Sequence, residues 1–153
     1  MKRRTFLKGT VASGMLGVAA SAGLLAPRMV LAAWPESAFG SKSTDGALDA
    51  LFGTTNTAES GDIKIKAPDI AENGAVVPIT ISTGMAAETI SVLIAKNPSP
   101  LACSYDLGGS TLGFVSTRVK MGKTSDLIAV IKSGGKLYSA KKTVKVTIGG
   151  CGG

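Results

Sequence analysis

The side chains that could support chemistry in this 153-residue sequence are two cysteines, Cys103 and Cys151, in a chain without histidine. Histidine is the commonest general base and metal ligand, so its absence excludes His-based catalytic triads. The cysteines lie 48 positions apart and form no CxxC motif. Neither a thioredoxin-type redox pair nor a four-ligand zinc site can be assembled from them. The sequence therefore predicts no catalytic residue, no metal site and no cofactor.

Cys151 stands third from the end of the sequence, within a run of glycines. These glycines are Gly149, Gly150, Gly152 and Gly153. Glycine loses the most conformational entropy when it is ordered, so residues 149–153 are predicted to form a flexible arm. Lys145, six residues back, is the nearest lysine along the chain, so no adjacent base or cation activates the thiol. Five extended residues span roughly 17 Å, and so thin an arm could carry the thiol into a narrow channel of another protein.

Cys103 alternates with Leu101, Tyr105 and Leu107 along a strand-like run. This pattern predicts that Cys103 lies on the face of the bulky residues, where a thiol behaves as a small hydrophobe. An alternative is a disulfide with Cys151, which an oxidising compartment would permit. Such a bond requires the two α-carbons to lie within about 7 Å, and a buried strand position is poorly placed for it.

Residues 1–32 have the features of an export leader: a basic start, a weakly apolar segment and a small-residue exit near Ala32. Arg3 and Arg4, followed by Phe6 and Leu7, resemble a twin-arginine signal. The sequence therefore predicts export to the periplasm and removal of the leader. An uncleaved anchor helix is the alternative, although four glycines between residues 9 and 26 make the segment weakly apolar for a membrane span.

The net charge of +7 belongs largely to this leader, which contains five of the 17 basic residues and no acidic residue. The predicted mature chain has 12 basic and 10 acidic residues, a net charge of +2. A nucleic-acid-binding protein would need a basic footprint on its folded domain. The charge balance therefore gives no support to that class of function.

The mature chain is predicted to be a single domain, residues 33–148, followed by the arm. Ser43 or Thr44 can cap a short helix that Gly53 ends, with Asp45 and Asp49 on its solvated face. After residue 61, alternating polar and apolar residues indicate strands. They cover 63–66, 77–82, 89–96, 101–107, 114–121, 126–133 and 143–148. Seven short strands separated by turn residues favour an all-β, immunoglobulin-like antiparallel sandwich with a short N-terminal helix.

Five segments together resemble the SoxY family, the sulfur-carrying subunits of the Sox thiosulfate-oxidation system. They are the twin-arginine leader, LFG at 51–53, NPSP at 97–100, STRVKM at 116–121 and VKVTIGGCGG at 144–153. The resemblance covers essentially the whole chain, and the terminal GGCGG is its most specific feature. It implies that Cys151 bears the oxidation intermediates covalently, as an S-thiosulfonate and then a persulfide. The substrate would be thiosulfate.

The resemblance also implies partner proteins. A SoxXA-like haem protein would oxidise the thiol and thiosulfate together, a SoxB-like metallohydrolase would release sulfate, and a SoxCD-like oxidase could act next. A SoxZ-like subunit would form a heterodimer with this chain and travel with it through the export pathway. That partner needs an apolar patch, for which strand 89–96, with Ile90, Val92, Leu93 and Ile94, is a candidate.

Two other functions remain open from the residues alone. The chain could be a structural sandwich whose terminal cysteine only forms an intermolecular disulfide. It could also be a thiol enzyme such as a peroxidase or sulfurtransferase, although no base accompanies Cys151 in the sequence. Cys103 departs from the SoxY pattern, and a second thiol allows a resting disulfide within or between chains.

Overall fold

The computed structural model describes residues 34–108 and 111–147. The predicted leader, 1–32 with Arg3, Arg4, Phe6 and Leu7, lies outside this part, as do Cys151 and its four glycines. Apart from Trp34, the described residues belong to one compact unit that begins at Pro35. In the described residues of this unit no helix is both long and apolar enough to span a bilayer.

Two helices precede nine strands in the described part of the chain. The helices are α1 (Glu36–Gly40) and α2 (Thr44–Phe52). The strands are β1 (Ala58–Glu59), β2 (Ile63–Lys66), β3 (Ile70–Ala71), β4 (Val77–Thr83), β5 (Thr89–Ile94), β6 (Leu101–Asp106), β7 (Phe114–Val119), β8 (Ser125–Ser133) and β9 (Lys136–Val146). All seven predicted strands are present, together with β1 and β3, which are too short to produce a periodic pattern.

The strands form two sheets. The larger sheet has the order β1-β9-β8-β5-β6, with β3 also paired to β9, and the smaller has the order β2-β4-β7. Pairing is antiparallel except where the short strands β1 and β3 run parallel to β9. This arrangement confirms the all-β, immunoglobulin-like sandwich.

The main hydrophobic core lies between the two sheets and takes side chains from both. Ile79 and Ile81 of β4 contribute from the smaller sheet, and Val92 and Ile131 from the larger one. A second cluster covers the other face of the larger sheet, where Ala47 and Leu48 of α2 pack with Leu93, Leu101 and Val130. The larger sheet is thus buried on both faces, by its partner sheet and by the helices.

This two-sided burial corrects one prediction. Strand 89–96 was a candidate partner-binding patch, yet Ile90, Val92, Leu93 and Ile94 of β5 are all 0% exposed. A strand buried on both faces has a continuous apolar sequence. An exposed apolar patch can have the same sequence pattern, so the two cannot be distinguished without the fold. The candidate patch is therefore part of the cores of the domain.

Helix α2 has the predicted boundaries because both ends carry capping residues. The Ser43 hydroxyl accepts a hydrogen bond from the Gly46 N–H at 3.1 Å. Gly53 ends the helix with a φ of 70°, in the left-handed region. Asp45 and Asp49 are exposed, as predicted for a solvated face. Helix α1 is an addition to the sequence prediction.

The last strand begins seven residues earlier than predicted. Gly134 and Gly135 have φ values of 56° and 74° and form a two-residue turn between Ser133 and Lys136, which pair with each other. Positive φ at both central residues suits the twist of a hairpin. Strand β9 therefore starts directly after this turn and runs for 11 residues.

Cys103 packs against the core together with Leu107, as predicted, but an irregularity in β6 removes Leu101 from their common face. Val92 pairs with Cys103, whereas the next residue, Leu93, pairs with Leu101. The skipped residue, Ala102, marks a β-bulge that interrupts the alternation. Leu101 consequently packs in the helix-side cluster, while Cys103 packs against the core between the sheets.

Candidate functional site

Cys151 and the four glycines around it lie outside the described residues, so the structure describes the place where the predicted arm begins. The described chain ends at Thr147, four residues before Cys151. Residues 144–147, at the end of β9, are called the arm base here. Val144 is completely buried in the main core, which anchors the arm base in the sandwich.

On one side, β3 holds the arm base through backbone hydrogen bonds. Ile70 and Ala71 pair in parallel with Lys145 and Val146. The Lys145 N–H donates to the Asp69 carbonyl at 2.9 Å, and the Thr147 N–H donates to the Ala71 carbonyl at 3.1 Å. The backbone is therefore fixed up to Thr147, one residue before the predicted end of the strand at Ile148.

On the other side, the loop between β7 and β8 holds Val146 of the arm base. The Val146 N–H donates to the Thr124 hydroxyl at 3.0 Å, and the Met121 N–H donates to the Gly74 carbonyl at 2.7 Å. A Cβ on Gly74 would overlap the Met121 carbonyl oxygen and crowd a methyl group of Val146. Only glycine allows this close approach of the three segments.

Asn97, the first residue of the NPSP turn, holds this loop in position. Its side-chain amide donates to the Lys120 carbonyl at 2.7 Å, and its side-chain oxygen accepts from the Gly122 N–H at 3.1 Å. The fold thus brings together three of the segments that carry the family resemblance: NPSP, STRVKM and VKVTI. The fourth described segment, LFG at 51–53, lies instead at the end of α2.

Four lysines lie in, or next to, the hydrogen-bonded segments around the arm base, and we call them the arm-side lysines: Lys96, Lys120, Lys123 and Lys145. Each belongs to, or directly adjoins, the hydrogen-bonded segments described above, and each is exposed. The ion pairs of the described chain engage Lys132, Lys141 and Lys142. Within residues 34–108 and 111–147, the arm-side lysines therefore form no ion pair. Sequence reasoning considered only Lys145, because the other three approach through the fold.

Cys103 is partly buried, with its side chain against the core between the sheets. Burial raises the pKa of its thiol, and a hydrogen bond with Tyr105 opposes this effect to a smaller extent. A thiol with a raised pKa is a poor nucleophile near neutral pH. The disulfide considered between Cys103 and Cys151 involves a residue outside the described part and stays untested.

Metal-ligating side chains are dispersed over the described residues. No three of the Cys, Asp and Glu side chains in 34–108 and 111–147 group closely enough to hold an ion. Two open concavities, of about 390 and 370 Å³, lie beside Ser60 and beside Thr80. Neither is lined by Cys103 or by a residue of the arm base.

The chain is similar to a known protein family and to a protein of known structure. Residues 48–151 match the model of the family described as sulfur oxidation protein SoxY. The match extends to Cys151. A solved structure of the sulfur carrier protein SoxY from Chlorobium limicola f thiosulfatophilum is 47% identical, with a TM-score of 0.62. The alignment covers 68% of this chain and 96% of that one. No curated protein sequence matches the chain.

Proposed function

Because the chain belongs to the SoxY family of sulfur oxidation proteins, we propose that it is a covalent sulfur carrier in periplasmic thiosulfate oxidation. Cys151 is the attachment site, and residues 149–153 form the arm that presents it. The observation that carries the proposal is the position of this cysteine, four residues beyond an arm base that the fold holds from both sides. The family match, which extends to residue 151, adds support.

Loading the carrier requires an oxidant. The Cys151 thiolate and thiosulfate are both nucleophiles, and joining them as a cysteine S-thiosulfonate releases two electrons. A SoxXA-like haem protein would accept these electrons, since no cofactor is proposed for this chain. Water then attacks the terminal sulfonate sulfur, and sulfate leaves with two protons. The cysteine retains one sulfur atom as a persulfide.

Partner proteins would catalyse the reactions, while this chain carries the sulfur group between them. A SoxB-like metallohydrolase would catalyse the release of sulfate, and a SoxCD-like oxidase would act on the remaining persulfide sulfur. A SoxZ-like subunit would form a heterodimer with this chain. The leader, with Arg3, Arg4, Phe6 and Leu7, would direct the folded pair through the twin-arginine pathway to the periplasm. In this scheme the chain supplies no catalysis of its own.

Intact-mass measurement tests the proposal directly. The mature chain is incubated with thiosulfate and the oxidase, and its mass is measured before and after dithiothreitol. We expect a gain of one thiosulfate group that dithiothreitol removes. Cys151→Ser should abolish the gain, whereas Cys103→Ala should retain it.

The other outcomes separate the alternatives. A chain that only dimerises through Cys151, without gaining an adduct, would be a crosslinking protein. A chain that consumes thiosulfate without partners would be a thiol enzyme. An adduct found on Cys103 would also contradict the proposed attachment site.

A further inference from the structure

Asn73 is followed directly by Gly74 in the turn that connects β3 to β4, beside the arm base. Asn73 is exposed. Its side-chain oxygen accepts from the Ala75 N–H at 2.9 Å, and its main-chain carbonyl accepts from the Val76 N–H at 3.3 Å. Both bonds use oxygen atoms of Asn73. Within residues 34–108 and 111–147, no hydrogen bond holds the nitrogen of its side-chain amide.

The backbone nitrogen of Gly74 is placed to react with this side chain. The hydrogen bond from Ala75 closes a ring through the Asn73 side chain and the Gly74 peptide unit, which folds the side-chain carbonyl towards that unit. Gly74 has no Cβ to obstruct an approach to its nitrogen. In the described ranges its N–H donates no hydrogen bond, so the proton is accessible to base.

The other asparagines of the sequence are Asn56 and Asn97, and both lack these conditions. Asn97 precedes Pro98, which has no N–H, and the β7–β8 loop holds both ends of the Asn97 amide. Asn56 precedes Thr57, whose branched side chain crowds the peptide nitrogen. Asn73 is therefore the asparagine that is open to attack by the nitrogen that follows it.

Asp45 is the other residue of this type that precedes a glycine, and there the fold blocks the reaction. Asp45 and Gly46 lie in the first turn of α2, where the Gly46 N–H donates to the Ser43 hydroxyl at 3.1 Å. Helical dihedral angles and this hydrogen bond fix the Gly46 nitrogen. Ring closure at Asp45 would require the first turn of the helix to unwind.

We propose that Asn73 is a site of spontaneous deamidation, at which the chain modifies its own backbone. The Gly74 nitrogen loses its proton and attacks the side-chain carbonyl carbon of Asn73. The bond from that carbon to the amide nitrogen breaks, and ammonia leaves with the proton. Water then opens the resulting succinimide ring. Opening at the side-chain carbonyl gives aspartate, and opening at the main-chain carbonyl gives isoaspartate, in which the backbone runs through the side chain.

Isoaspartate at this position would disturb the arm base through Gly74. The backbone gains one carbon atom between the α-carbon of residue 73 and the Gly74 nitrogen. The Gly74 carbonyl accepts from the Met121 N–H at 2.7 Å. Even an added Cβ on Gly74 would overlap the Met121 carbonyl oxygen and crowd Val146. A displaced Gly74 cannot keep these contacts, so the turn that supports the arm base is also the place where the chain is chemically unstable.

Peptide mapping of the aged protein tests the site. The mature full chain is incubated at pH 7.5, both folded and unfolded in guanidinium chloride, and mass spectrometry follows the exchange of NH2 for OH. Methylation by protein L-isoaspartate methyltransferase identifies isoaspartate. We expect folded Asn73 to react at no less than about one tenth of its unfolded rate, a barrier difference of about 1.4 kcal/mol. In the same folded sample Asn56, Asn97 and Asp45 should stay unchanged.

Hydrogen exchange tests the effect on the arm base. The isoaspartate form carries one more negative charge than the original chain and is separated by ion exchange. Its Met121 and Val146 amides should exchange roughly two- to tenfold faster, which corresponds to the loss of about one net hydrogen bond. The matched control is freshly purified Asn73→Asp. It has the same added charge on an ordinary backbone, keeps an acceptor for the Ala75 N–H, and should exchange like the original chain.

Retention of the Asn73 amide in the folded chain, while the unfolded chain loses it, would overturn the proposal, because the turn would then protect the amide. Equal exchange rates in the isoaspartate form and the original chain would overturn the link to the arm base. Both measurements are independent of sulfur chemistry, so neither result depends on whether Cys151 carries a sulfur group.

Discussion

At the scale of single residues, the two cysteines occupy different chemical environments. Cys103 lies in β6 against the core between the sheets, and burial raises the pKa of its thiol. It stays protonated at pH values where an ordinary thiol begins to ionise. Since the thiolate is the reactive form, Cys103 is protected both by access and by protonation.

This difference predicts the labelling pattern of the native protein. Iodoacetamide at pH 7.5 should modify one of the two cysteines in the folded mature chain, and peptide mapping should place the label at Cys151. In denaturant both cysteines should react. Rapid native labelling of Cys103 would contradict the burial argument.

The raised pKa of Cys103 also has a consequence for stability. Above the unfolded thiol pKa of about 8.5, the folded chain binds more protons than the unfolded chain, because Cys103 keeps its proton when folded. The contribution of Cys103 to stability is therefore complete below this pH and is lost as the pH rises through the folded pKa. The effect belongs to the alkaline range and leaves stability at neutral pH unchanged.

Asn97 is the residue whose side chain does most to position the loop beside the arm base. It makes two hydrogen bonds with the backbone of that loop. Asn97→Ala should lower the free energy of unfolding by about 1–3 kcal/mol, since each net hydrogen bond contributes about 0.5–1.5 kcal/mol. Urea denaturation measures the loss.

Ser99→Ala, in the same turn, is the matched control. Among the described residues, the hydrogen bond of the Ser99 hydroxyl is with the exposed Lys42 ammonium at 3.4 Å. Its removal should change stability by less than about 0.5 kcal/mol. If both substitutions had the same effect, Asn97 would have no special role in holding the loop.

At the scale of elements, alternation in the sequence identified every strand of four or more residues within 34–108 and 111–147. The two-residue strands β1 and β3 were not predicted, because a period of two cannot be recognised over two residues. The early start of β9 was not predicted, because residues 136–142 mix lysines with Leu137 and Tyr138 and show no regular alternation. The only sequence signal for a hairpin there is the glycine turn that precedes them.

The candidate site could be predicted from the sequence only in part, because some of its residues are far apart along the chain. The glycines, the thiol and the apolar side of β9 are adjacent in sequence and could be read there. Contacts between distant segments of the chain bring Thr124, Asn97, Lys120 and Lys123 towards β9. No local pattern records such contacts.

The close approach of Gly74 to β9 leads to a prediction for this group of elements. Gly74→Ala places a methyl group against the Met121 carbonyl and the Val146 side chain. Overpacking of this kind costs about 1–3 kcal/mol, and hydrogen exchange at Val146 and Thr147 should accelerate. Gly61→Ala has nothing within 4 Å of the added carbon and should be nearly neutral. Equal stability of the two variants would contradict the packing described around the arm base.

At the scale of the whole molecule, the larger sheet separates two hydrophobic clusters. One cluster lies between the sheets and includes Val144 of the arm base, and the other lies under α2. Strand β5 contributes Val92 to the first and Leu93 to the second. Because one strand serves both clusters, we expect the domain to unfold in a single cooperative transition, as is usual for domains of this size.

Leu48→Ala tests this coupling from the helix side. The side chain of Leu48 is 7% exposed and packs in the cluster under α2. Its truncation should cost about 2–5 kcal/mol and lower the midpoint of the whole transition, with near-ultraviolet and far-ultraviolet signals changing together. Asp49→Ala, on the exposed side of the same helix, is the control and should change stability little. If the helix signal were lost at a lower temperature than the strand signal, the helices would be a separate unit, and the sandwich would hold the arm base without them.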